Sequence, residues 1–170
     1  MRNSKMKGFT LIELIVVIAI IGVLAAILVP SMIGYVGDSK LSTANSNAKL
    51  VYTNTATYAT KCEVAGFPMS AGNSVATITL NTSGLSLPSA VTAPTASSDV
   101  NLTEALQILM GSNSASAGVA TSVLTAAGTP DKTAWGKTAS DSYIGGYPDE
   151  ASAKTSESGG VVLATAVKNP

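Results

Sequence analysis

No histidine occurs in the 170 residues, cysteine appears once, and aromatic side chains make up 5% of the chain. Without imidazole, the commonest general base and metal ligand is missing, and Cys62 has no such neighbour to activate it. Catalysis is therefore not expected. A single cysteine cannot close an intrachain disulfide, so Cys62 reads as a buried, inert thiol near a helix end. Eight aromatic residues are too sparse for a conducting stack. Charge is scarce as well: ten basic residues balance ten acidic ones. That balance offers no basic groove, so no nucleic-acid partner is indicated.

Apolar surface is what the chain has in quantity. From Phe9 to Val29 the only ionisable side chain is Glu13. A helix over those positions rises about 32 Å, enough to cross the hydrocarbon core of a bilayer. A carboxylate at the centre of such a helix is unfavourable by about 2.5–3.5 kcal/mol and by less near its end, so Glu13 reads as a functional group awaiting a partner. An ordinary secretory signal fits poorly. The apolar block is longer than a usual h-region, and no A-x-A-like cleavage site follows it. An uncleaved anchor would account for the topology, but neither reading accounts for Gly8-Phe9 or for Glu13.

The run Lys7-Gly8-Phe9-Thr10-Leu11-Ile12-Glu13-Leu14, behind a basic leader with Arg2 and Lys5, resembles the type IV pilin family. That family includes the pseudopilins of type II secretion and the competence pilins. The resemblance implies cleavage between Gly8 and Phe9 by a prepilin peptidase, and N-methylation of Phe9. Glu13 then becomes the fifth mature residue, and it implies pairing with the terminal amine of a neighbouring subunit's Phe9. Cleavage would remove Arg2, Lys5 and Lys7 and no acidic residue, leaving a mildly acidic product. Gly22 and Pro30 also stand where the family commonly has those residues. Glycine disfavours a helix by about 1 kcal/mol relative to Ala, and Pro30 removes a backbone hydrogen bond. Two readings stay open: a stretch that melts or kinks in a fibre, and simple tolerance of both residues in a membrane helix.

The expected layout is α+β, with a long N-terminal helix packed against a small antiparallel sheet. Residues 1–8 form the leader, 9–30 the transmembrane or fibre-core helix, 31–62 its amphipathic continuation and 63–170 the globular head. The continuation rests on a stripe at three- and four-residue steps: Leu41, Ala44, Ala48, Val51, Thr55, Tyr58 and Cys62. Its small residues predict close approach of a sheet, and Gly66 and Pro68 predict the helix end. Alternation over 73–81 predicts a strand with one buried face. Asn101-Leu102-Thr103-Glu104 predicts a capped short helix ending near Gly111. The small, polar stretch 112–129 reads as irregular. Residues 142–147 and 161–167 are strand candidates for a terminal hairpin.

Trp135-Gly136, with Tyr143 and Tyr147 beyond, is similar to a region of the major type II secretion pseudopilin, whose nearby loop holds calcium. The spacing departs from that pattern. Asp131, Asp141, Asp149 and Glu150 offer oxygen ligands, with Asp141 and Asp149 the weak calcium candidates. No dense Asp/Asn loop surrounds them, so a solvated charged loop and no cofactor are expected. A surface-binding reading would need Trp135, Tyr143 and Tyr147 exposed together.

The resemblance implies a structural subunit of a type IV pilus-like filament, preferably a major pilin. The alternatives are a type II secretion pseudopilin, or a minor pilin or surface adhesin. Implied partners are other copies of the chain, the prepilin peptidase, and a membrane platform with its assembly ATPase. The chain would sit in the cytoplasmic membrane before assembly and in a cell-surface filament afterwards.

Overall fold

The structure is a computed structural model that describes residues 9–80, 90–111, 117–155 and 163. Its contacts divide the chain into two units, Met1–Asp38 and Ser39–Pro170. Helix α1 spans Leu11–Val64 and belongs to both.

Within the first unit, α1 runs through Gly22 and Pro30 without interruption. Ile12, Leu14, Ile18, Ile21, Leu24 and Leu28 are all exposed. So much uncovered apolar surface on one helix demands an environment other than water.

The second unit carries the core. Ala44, Ala48, Val51, Thr55, Tyr58 and Cys62 are all buried, as their spacing predicts, and Leu41 is half-buried. Hydroxyls on this part of the helix close back onto the preceding turn; Thr55 Oγ1, for example, donates to Val51 O at 2.8 Å. The helix ends in a left-handed glycine cap. Gly66, at φ +85°, donates its N–H to Glu63 O at 3.0 Å, and Phe67 N–H reaches Cys62 O at 2.9 Å. These two bonds form a Schellman motif and satisfy carbonyls that the last turn would otherwise leave open.

Among the described residues the sheet has four strands in the order β1 (Val75–Thr79), β2 (Val119–Leu124), β3 (Pro130–Gly136) and β4 (Gly145–Tyr147), each pair antiparallel. Helix α2 (Leu102–Gly111) lies in the connection from β1 to β2. Its N-cap forms as the sequence predicts: Asn101 Oδ1 accepts Glu104 N–H at 3.2 Å. Asn101 N–H in turn donates to the Tyr58 hydroxyl at 3.0 Å, joining the cap of α2 to α1.

Helix and sheet approach closely where their side chains vanish. A Cβ at Gly145 would fall inside the Ala44–Asn45 peptide. Beside this contact, Asn45 bridges two segments of the head. Its Oδ1 accepts Gly146 N–H and Ala151 N–H at 3.1 Å each, and its Nδ2 donates to Ala151 O at 2.9 Å. Thr133 Oγ1 donates to Ala48 O at 2.8 Å, and the Thr55 and Ser122 hydroxyls pair at 3.0 Å. Every one of these bonds runs between α1 and the head.

The irregular reading of 112–129 is corrected over its second half, where β2 and the turn into β3 lie. Alternation is absent because both faces of β2 are covered. Ser122 meets α1, whereas Thr121 Oγ1 donates to Leu163 O at 3.4 Å, and Leu163, Ala134 and Ile144 form a second apolar cluster. The turn depends on Gly128, at φ +78° and packed against the Met69 backbone, with Thr125 N–H bonded to Thr129 O at 2.8 Å. The strand expected over 142–147 is confined to Gly145–Tyr147. That expected over 161–167 lies outside the described residues except for Leu163, which is helical.

Candidate functional site

The head of α1 builds one compact arrangement around Glu13. Thr10 is the N-cap and Glu13 the third helical residue. Thr10 N–H donates to Glu13 Oε2 at 2.8 Å, Thr10 Oγ1 donates to the same oxygen at 2.7 Å, and Glu13 N–H reaches Thr10 Oγ1 at 3.3 Å. This reciprocal pattern is a capping box, which satisfies two of the open N–H groups at a helix start. An acid in the first turn is also favoured by the helix dipole.

One oxygen of the carboxylate therefore carries the local bonds. The other, Oε1, makes no hydrogen bond among the described residues. The carboxylate is held in one orientation and still presents an acceptor. Sequence reasoning identified Glu13 but missed Thr10; the Thr-x-x-Glu spacing at the start of an apolar run was the available signal. Phe9 is 84% exposed, and Gly8 lies outside the described residues. Gly22 and Pro30 sit on the same helix, Gly22 between exposed Ile21 and Val23 and Pro30 after exposed Val29.

The other candidate residues lie in the head. Asp141 spends its carboxylate on its own loop: Oδ2 accepts Lys137 N–H at 3.2 Å and Oδ1 accepts Tyr143 N–H at 3.1 Å. Asp149 is exposed. Among the described residues no three His, Cys, Asp or Glu side chains come together as a metal site. Trp135 is only 5% exposed, and Tyr143 and Tyr147 are half-buried. Tyr147 packs its ring edge-on with Tyr52, the ring centroids 4.9 Å apart. An exposed aromatic platform is thus not formed. Cys62 is buried, and burial pushes its thiol above the usual range; burial does the same to the Tyr58 phenol.

The described residues thus fall in the class of chains in which one apolar N-terminal helix, long enough by length and composition to cross a membrane, carries a capped acid at its head and is followed by an α+β unit. Comparison with known proteins narrows that class. The family model described as "Prokaryotic N-terminal methylation motif" matches residues 3–29. The chain is 53% identical over 51 residues to the type IV major pilin protein PilA of Myxococcus xanthus, covering 30% of this chain and 23% of that protein. It is 57% identical over 44 residues to the fimbrial protein EcpC of Eikenella corrodens, covering 26% and 29% respectively. With the type IV major pilin protein PilE of Neisseria gonorrhoeae the identity is 50% over 42 residues, 25% of each chain. The matched segment thus spans less than a third of the length of these relatives. No solved structure matches the chain. Over this N-terminal segment the chain is similar to type IV pilins and carries their N-terminal methylation motif.

Proposed function

We propose that the chain is a structural, non-catalytic subunit of a type IV pilus-like filament that polymerises through its N-terminal helix. One observation carries this reading: an uncovered apolar run at the start of α1, headed by a carboxylate that is oriented by Thr10 and whose second oxygen makes no hydrogen bond among the described residues. In the membrane that helix is solvated by lipid, and in a fibre by copies of itself. Transfer between the two changes little hydrophobic free energy, so packing and the charge pair decide. A protonated amine and a carboxylate attract far more strongly inside an apolar bundle than in water. The incoming partner is the amino terminus of Phe9 on another copy, freed by cleavage after Gly8 and then methylated. Glu13 sets the axial register of that contact. Before assembly the chain is a single-pass protein of the cytoplasmic membrane; afterwards it is part of a cell-surface filament.

Mass spectrometry of filaments sheared from cells tests the reading. The expected result is a dominant species beginning at methylated Phe9. An intact Met1 terminus on this chain, or its absence from sheared filaments, would overturn it.

A further inference from the structure

A cleft of about 380 Å³ opens in the head, lined by Ser39, Lys40 and Thr43 of α1, by Trp135 and Lys137 at the end of β3, and by Asp141 and Tyr143 of the following loop. Its size lies in the range of small-ligand sites. Its charge is organised. Lys40 Nζ stands 5.6 Å and Lys154 Nζ 5.9 Å from the centroid of the Tyr143 ring, within cation–π reach. Among the described residues neither ammonium has a carboxylate partner. Lys154 is held beside the loop because Thr155 N–H donates to Ser142 O at 2.9 Å and Thr155 Oγ1 to Asp141 O at 3.0 Å. Asp141 is fixed by the two backbone N–H groups of its own loop, leaving lone pairs for hydroxyl donors.

We propose that this cleft binds a hexuronate unit of an acidic polysaccharide. The cleft, with Lys154 beside the Tyr143 ring that lines it, calls for three properties in one ligand: an anionic group for the two lysines at that ring, hydroxyl donors for Asp141, and an apolar face against Tyr143 and the small exposed part of Trp135. A uronate pyranose has all three. An acidic peptide meets the lysines but brings no ring of hydroxyl donors to Asp141, and inorganic phosphate offers no apolar face. The site differs from an aromatic stacking platform, since Tyr143 serves chiefly to position two cations.

The test uses the full-length chain in detergent micelles with polygalacturonate as the probe, and its methyl-esterified form and neutral dextran as controls. Binding is read by biolayer interferometry, so the result does not depend on filament assembly. Polygalacturonate is expected to bind with an affinity that falls as salt rises, while the methyl ester and dextran bind at least tenfold more weakly. Lys40→Gln and, separately, Lys154→Gln are each expected to weaken binding at least fivefold. Lys49→Gln removes the same charge from a lysine placed 5.6 Å over Tyr147 instead, and is expected to leave binding unchanged. Equal losses in all three variants would reduce the effect to general surface charge and overturn the proposal. Absence of polygalacturonate binding, or equal binding of its methyl ester, would overturn it as well. Self-association abolished by Lys40→Gln but insensitive to polygalacturonate would assign the cleft to an acidic segment of a second copy, against the proposal.

Discussion

Asn45 ties a helix to two separate segments of chain with a single amide, because its oxygen accepts from Gly146 and Ala151 and its nitrogen donates to Ala151. Truncation would leave two N–H groups and one carbonyl without that partner in a half-buried place. Each unsatisfied group costs about 1–3 kcal/mol where water is excluded. Asn45→Ala is therefore expected to destabilise the head by about 2–4 kcal/mol in denaturant unfolding of the detergent-solubilised chain, and Asn45→Asp by less, since it keeps both acceptor bonds. Under the role proposed for it, Glu13 acts at the same scale but in assembly rather than stability. Glu13→Ala is expected to leave leader cleavage intact and to reduce sheared filament yield at least tenfold; unchanged yield would remove the register role assigned to it. Thr10→Val keeps the carboxylate while removing the hydroxyl that orients it, so its yield should fall between those of wild type and Glu13→Ala.

Each element shows why some of the fold could be read from sequence and some could not. The stripe from Leu41 to Cys62 was legible because one face of α1 is buried and the other is wet, which leaves a three-four period in residue size. The cap of α2 was legible because its bonds are local: Asn101 Oδ1 accepts the Glu104 N–H, and Asn101 Nδ2 donates to the Glu104 carboxylate. Strand β2 was not, since Thr121 and Ser122 are fully buried on opposite faces and polar residues carry no alternation there. Their hydroxyls find partners 42 and 67 residues away in sequence, information that no local window contains. The end of α1 yields a prediction at this scale. Gly66→Ala places a side chain at φ +85° and is expected to lower stability by about 1–2 kcal/mol. Gly72→Ala, whose Cβ would meet only Ser70 Oγ at an ordinary 3.6 Å, should change stability by less than about 0.5 kcal/mol.

For the whole molecule, the buried thiol and phenol set a pH limit. Cys62 and Tyr58 both have folded pKa values raised by burial, so the folded chain holds its protons at pH values where the unfolded chain has begun to release them. The unfolded state then binds fewer protons, and stability falls as pH rises. Unfolding free energy should be level from neutral pH to about pH 8 and decline above the ordinary thiol value of about 8.5. Cys62→Ala should shift the onset of that decline towards the phenol range, near pH 10. The close fit of Gly145 over the Ala44–Asn45 peptide bears on a different property of the head. Apolar faces slide over one another at small expense, whereas a backbone seated in a notch must climb out before it can move along the helix. A subunit under tension would therefore transmit load from α1 to the sheet by interlocking shape, with Asn45 as the latch beside the notch, and would yield by fracture at that joint instead of by creep.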